Sequence, residues 1–200
     1  MLNSRPRRTK WAAAWIALAL LAVLPACSVN VKEHSADNKR VDIDTPVGGI
    51  HVSKDTDPRD IGLEVYPGAR KKEGNVDGDE KGANVNISGP GFGVRVIAQE
   101  YESDDSPEKL ISFYKDQLKR YGSVLECKET WHGGSAEMHK GGGKDEDGHK
   151  PVSCGSDKGD SVELKVGTED NQHIVAVKTE GKVSTFALVY VRTHGSSDTI

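Results

Sequence analysis

Residues 183–191 constrain the fold more than any other stretch. Ala187, Val189 and Val191 occupy one parity of the segment and Phe186, Leu188 and Tyr190 the other. Successive strand residues point to opposite faces, so a strand that is apolar on both has to be central and covered on both sides. Two further strands are expected before it: Val162, Leu164 and Val166 at period two, then the apolar run at residues 174–177. A hairpin is expected earlier, with Val85 and Ile87 followed by Phe92, Val94, Val96 and Ala98 around the turn Gly89, Pro90, Gly91. Val124, Leu125 and Cys127 begin another strand.

Residues 106–121 predict the main helix. Ser106 suits the cap, Pro107 the first position and Glu108 the positive end of the dipole, and Gly122 stops the run. Leu110, Ile111, Tyr114, Leu118 and Tyr121 recur at spacings of three and four, whereas Lys115, Asp116, Lys119 and Arg120 fall on the other side. The expected fold class is therefore α+β: an antiparallel sheet of about six or seven strands with this one helix across a face. A hairpin at 41–53, a loop or a partner is expected to cover the other face of residues 183–191.

The first ten residues carry Arg5, Arg7, Arg8 and Lys10 and no acid, and residues 11–24 are an uninterrupted apolar run. That is the layout of a signal peptide, and about 14 residues are too few to span a bilayer comfortably. Leu24, Pro25, Ala26 and Cys27 then resemble the lipobox of bacterial lipoproteins. The resemblance implies that Cys27 becomes the first residue of the mature chain and carries a thioether-linked diacylglycerol, which two acyl chains would hold stably at a membrane. It implies an address in the bacterial cell envelope, facing the periplasm, with the outer membrane favoured where the organism has one because Ser28, not Asp, follows Cys27. Farther on, residues 63–69 (Leu63 to Ala69 reading LEVYPGA) and residues 106–118 (Ser106, Pro107, Glu108, Phe113, Tyr114, Leu118) are similar to uncharacterised bacterial lipoproteins with an LxVYPGA strand and an SPExxxxFYxxxL helix. That likeness implies fold and location but no activity.

The expected organisation is a signal peptide at 1–26, a lipidated cysteine and flexible tether at 27–40, a small β-hairpin at 41–56, and an α+β domain at 57–194 with a tail at 195–200. Residues 131–160 hold eight glycines and read as a disordered insert in that domain. Removing residues 1–26 takes away four positive charges and no negative ones, moving the net charge from −4 to −8. So acidic a chain makes nucleic acid a poor partner and leaves membrane attachment to the lipid rather than the protein surface.

With Cys27 lipidated, Cys127 and Cys154 form an even pair outside the cytoplasm and are expected to be a disulfide, adding about 3 to 4 kcal/mol in the chain-entropy model. His132, His139 and His149 in the glycine-rich insert are ligand types without the spacing of a closed zinc site. Gly133, Gly134 and Ser135 approach a nucleophile elbow, but Glu137 stands where its last glycine belongs. No metal, cofactor or enzymatic activity is expected. The sequence instead supports a non-catalytic interaction or structural role with an envelope protein as partner; the alternative is a lipid-anchored metal or small-ligand binder using the histidine insert.

Overall fold

The computed structural model describes residues 28–30, 33–34, 38–73, 81–131, 149–155 and 158–195, with side chains from residue 40 onward. Eleven strands form one antiparallel sheet: β1 (Ser28–Asn30), β2 (Glu33–His34), β3 (Asn38–Thr45), β4 (Gly48–Ser53), β5 (Arg70–Lys71), β6 (Gly82–Gly89), β7 (Phe92–Ser103), β8 (Leu125–Glu129), β9 (Ser161–Thr168), β10 (Asn171–Glu180) and β11 (Val183–Gly195). Two helices interrupt them, a single turn α1 (Pro58–Ile61) and α2 (Pro107–Leu118), the latter running into a 3-10 turn at Lys119–Tyr121.

The expected α+β class is corrected by this count: the protein is mostly antiparallel β, with one substantial helix on a sheet larger than six or seven strands. The sheet grows because the hairpin β3–β4 is not a separate unit. β4 pairs with β6 from Gly49 opposite Ser88 to Ser53 opposite Asn84, so the hairpin extends the sheet edge to edge and does not lie across residues 183–191. Its backbone donors and acceptors are satisfied by joining the ladder, which stacking on a face would not achieve. Within the expected tether, β1 and β2 both pair with β3.

The path across the sheet is β1-β3-β4-β6-β7-β11-β10-β9-β8, with β2 on β3 and β5 continuing along β7 beyond the end of β6. Two meanders thus meet in the middle. β3 to β7 run outward from the amino-terminal edge; α2 carries the chain to the far edge, and β8 to β11 return until β11 closes against β7, Ser184 opposite Ser103 and Gly195 opposite Phe92. β11 is the central, two-sided strand that its apolar pattern requires. Phe186 and Leu188 belong to the main core, and Ala187, Val189 and Val191 to a second cluster on the opposite face.

α2 packs over β9 and β10 and buries Leu110, Tyr114 and Leu118 completely. Ser106 is its N-cap in backbone conformation, but its side chain makes no capping bond, and the Ser106 carbonyl accepts from Lys109 and Leu110. Residues 63–69 are not a strand, which corrects the LxVYPGA expectation. Pro67 and Gly68 make a turn, and the segment is held by packing: Leu63 is buried, Val65 and Tyr66 lie against the core, and the Tyr66 N–H donates to the Tyr114 hydroxyl at 3.0 Å. Tyr114 is buried, and the loss of solvation raises its phenol well above the usual range. Gly62, with φ +76, ends α1; a Cβ there would meet the Tyr121 hydroxyl at 2.6 Å, and that hydroxyl donates to the Gly62 carbonyl.

Among the described residues no helix is long and apolar enough to cross a membrane.

Candidate functional site

The helix-covered half consumes its polar groups internally. On the face opposite α2, Lys165 is 2% exposed, with its ammonium 3.0 Å from Glu163 and 3.6 Å from Glu129. Lys165 offsets one of the two negative charges, and hydrogen bonding supplies further compensation: Glu129 also accepts from the Gly155 N–H at 2.7 Å. Nearby, Lys72 bonds Glu180, which also accepts from Thr185 at 2.9 Å; the lysine hydrogen bond, with that of Thr185, holds the Glu180 carboxyl down to about 2. Glu100, buried on the same face, is pushed up by desolvation against the pull of Lys81, Lys72 and Lys178. Lys178 also lies over the Trp131 ring, 4.8 Å from its centroid.

Cys127 and Cys154 are joined as a disulfide, with Cα atoms 5.5 Å apart. The bond ties residues 149–155 back beside β8. There Pro151 bridges Thr168 and the Val152 N–H reaches the Gly167 carbonyl, so this part of the expected disordered insert is fixed. Cys127, Glu129 and Cys154 also place three ligand types within 4.8 Å of one another. With the sulfurs joined and Lys165 beside the carboxylate, the group is a structural clasp. Of the three candidate histidines, His149 places Nδ1 3.1 Å from Asp170, while His132 and His139 lie outside the described residues, as do Ser135 and Cys27. The structure therefore brings Cys127 and Cys154 together and gives His149 a carboxylate partner; His149 stands apart from the disulfide.

The other half, formed by β3, β4, β6 and the outer end of β7, is a wing that α2 does not cover and that the single turn α1 meets at Arg95, and sequence reasoning did not single it out. Its α2-side face is polar. The ladder sets Asp42, His51, Asn86 and Arg95 in one row across four strands. His51 Nδ1 is 2.9 Å from Asp42, Arg40 is 3.4 Å from the same carboxylate, and Arg95 is 3.8 Å from Asp60. Arg40, His51, Ser53, Asn84, Asn86 and Arg95 line an open groove of about 300 Å³. The opposite face carries a second depression, about 330 Å³, lined by Ile43, Val47, Ile50, Ile87 and Phe92. The signal for this face was present in the sequence as the alternation of Val41 and Ile43, then Ile50 and Val52, with polar or small residues.

No family model, curated protein or solved structure matches the chain. The wing's geometry, not kinship, is what the functional reading rests on.

Proposed function

We propose that the chain is an extracytoplasmic lipoprotein of the bacterial envelope, anchored through lipid on Cys27, which acts without catalysis by binding another envelope component through the β3–β4–β6–β7 wing. One observation carries the binding surface: the wing holds a polar and an apolar depression and, among the described residues, four of the large hydrophobic side chains left exposed, Val41, Val47, Ile50 and Phe92. In the helix-covered half the described ionic groups of the buried face are engaged with one another. The anchor rests on the lipobox-like residues 24–27 and on the apolar run before them.

Crosslinking the lipidated protein in its own envelope, followed by capture and mass spectrometry, tests the binding role. A partner recovered with the wild-type chain and lost with Arg95→Glu supports the wing as the contact. Equal recovery with Arg95→Glu, alongside loss on substituting exposed positions of α2 such as Lys109, would move the contact to the helix side. Labelled palmitate tests the anchor separately: the label should enter the wild-type chain and be absent from Cys27→Ala, and unchanged incorporation would overturn it.

A further inference from the structure

The sheet register places the start of the first strand beside the most apolar end of the wing. Ser28 stands opposite Asp44, Asp44 opposite Gly49, Gly49 opposite Ser88, Ser88 opposite Gly93 and Gly93 opposite His194, one line across six strands. Immediately outside that line are the β3–β4 turn, with Pro46 and Val47, and the β6–β7 turn, with Pro90 and Gly91 leading into Phe92. Residue 28 is one peptide bond from Cys27, about 3.8 Å between Cα atoms. The start of β1 and the two turns thus share one end of the sheet.

That end has the chemistry of a bilayer contact. Val47 is 68% exposed and Phe92 49%, and with Ile50 and Ile87 they surround the apolar depression. Residues 45–50 and 88–93 contain no Asp, Glu, Lys or Arg, in a chain whose residues are 29% charged. Such a gap in the charge lets an acidic protein approach an anionic lipid surface, where its body would be repelled. The two hairpins also approach closely: Gly48, at φ +148, sits so near β6 that a Cβ would meet the Ser88 carbonyl oxygen at 2.1 Å, so the two tips lie side by side.

We infer that the tips of the β3–β4 and β6–β7 hairpins, with Val47 and Phe92 as the apolar wedge, insert into the headgroup and upper acyl region of the bilayer next to the lipid on Cys27. The inference rests on the anchor proposed above. It turns a lipid tether into a defined orientation: the sheet stands on its hairpin end, and Trp131 with the disulfide is held at the other, some 30 Å along the strands.

The mature protein's native tryptophan is Trp131, because Trp11 and Trp15 leave with the signal peptide. The test uses lipidated, processed full-length protein reconstituted into phosphatidylethanolamine–phosphatidylglycerol vesicles whose acyl chains carry bromine, a short-range quencher. Wild-type emission should be unaffected. The additional emission of Val47→Trp, and independently of Phe92→Trp, should be blue-shifted and largely quenched. Both positions are exposed, and an intact disulfide with native circular dichroism checks that each variant is folded. Unquenched emission from both variants while palmitate is incorporated at Cys27 overturns the inference and leaves the anchor standing, as does quenching of Trp131 to the same degree. A site-specific crosslink from position 47 to an envelope protein, without bromine quenching, overturns it in favour of a protein partner. Absence of palmitate and recovery in the aqueous phase of a detergent partition overturns the anchor and the inference together.

Discussion

The two halves of the sheet are built from the same kind of strand and differ in what lies over them. Between β7 and β9, α2 covers one face and the disulfide-clasped segment borders the other; there even Lys165, Glu163 and Glu129 are buried and mutually paired. In the wing, β3, β4 and β6 keep a complete hydrogen-bond ladder but hardly any side-chain cover, so Ile50 is 39% exposed while Leu188 and Val175 are wholly buried. Backbone pairing is thus sufficient to place a strand. Burial, which supplies most of the stabilisation, depends on the second layer. The wing is shaped by the core but contributes little to it, and its surface is correspondingly available for contact.

The sharpest break of this contrast is a matched truncation. Phe186→Ala removes a fully buried ring that lies between Tyr101 and Tyr114, with centroids 5.3 and 5.5 Å away, and should cost about 3 to 5 kcal/mol in urea unfolding. Ile50→Ala should cost about 1 kcal/mol or less, since much of its side chain already meets solvent. Comparable losses from the two would mean that the wing is packed against something and is not bare.

Next in size is the clasp. Replacing Cys127 and Cys154 together by Ser should lower stability by about 3 kcal/mol, since 27 positions of sequence separate the pair and the unfolded chain regains that loop freedom. The loss should be local in character, with hydrogen exchange accelerated first in residues 149–155 and β8 and unchanged in β3 and β4. Uniform acceleration would show that the two halves unfold as one unit.

A smaller effect sharpens the contrast by pH. His173 stacks on Tyr121, with centroids 3.9 Å apart, and burial, with the nearby Arg120 charge, holds its imidazole down to about 4 against a weaker opposing hydrogen bond to Ile61. The unfolded chain therefore binds the proton more readily than the folded one. Stability is full above about pH 6.5 and falls as the pH drops from there towards 4, by on the order of 2 kcal/mol after allowance for solvent screening. The carboxylates held low, Glu180 among them, lose their contribution only below about pH 4.5. Melting temperature between pH 7 and 5 should thus fall in the wild type and stay flatter in His173→Phe, which keeps the stack but cannot titrate.

Much of the covered half was legible in the sequence because its signals are local or symmetrical. Pro107, the three- and four-residue spacing of Leu110, Ile111, Tyr114 and Leu118, and Gly122 fix the helix, and two-sided apolarity fixes β11 at the centre. The disulfide was legible too, from Cys127 and Cys154 as the even pair left once Cys27 is set aside. The bareness of the wing and the buried charges beside the disulfide were not, for two physical reasons. Alternation at Val41, Ile43, Ile50 and Val52 says that one face of a hairpin is apolar, not whether anything covers it, so the pattern reads equally as a lid and as an edge extension. In β9, Leu164 and Val166 mark the inward face, and the same alternation would put Glu163 and Lys165 in solvent. Both are buried, and Lys165 reaches Glu129 on a neighbouring strand as well as Glu163 on its own, a cross-strand pairing that no window of sequence contains. Residues 63–69 failed for the converse reason: β-prone residues were recruited as a packed loop once Tyr114 offered its hydroxyl to the Tyr66 backbone.

The smallest predicted stability effect is the one that would tie the contrast to function. Arg95 and Asp60 are each about half exposed and 3.8 Å apart, a geometry in which Coulomb attraction is screened and ordering two side chains offsets most of the gain. Arg95→Ala should therefore shift the unfolding midpoint by well under about 1 kcal/mol, leaving the fold and disulfide unchanged. The same substitution removes a long side chain from the polar groove that Asn84 and Asn86 also line. If the wing is a contact surface, Arg95→Ala lowers capture of the envelope partner without lowering stability. A variant that loses both would assign Arg95 to the architecture and return the wing to the core from which it has been distinguished.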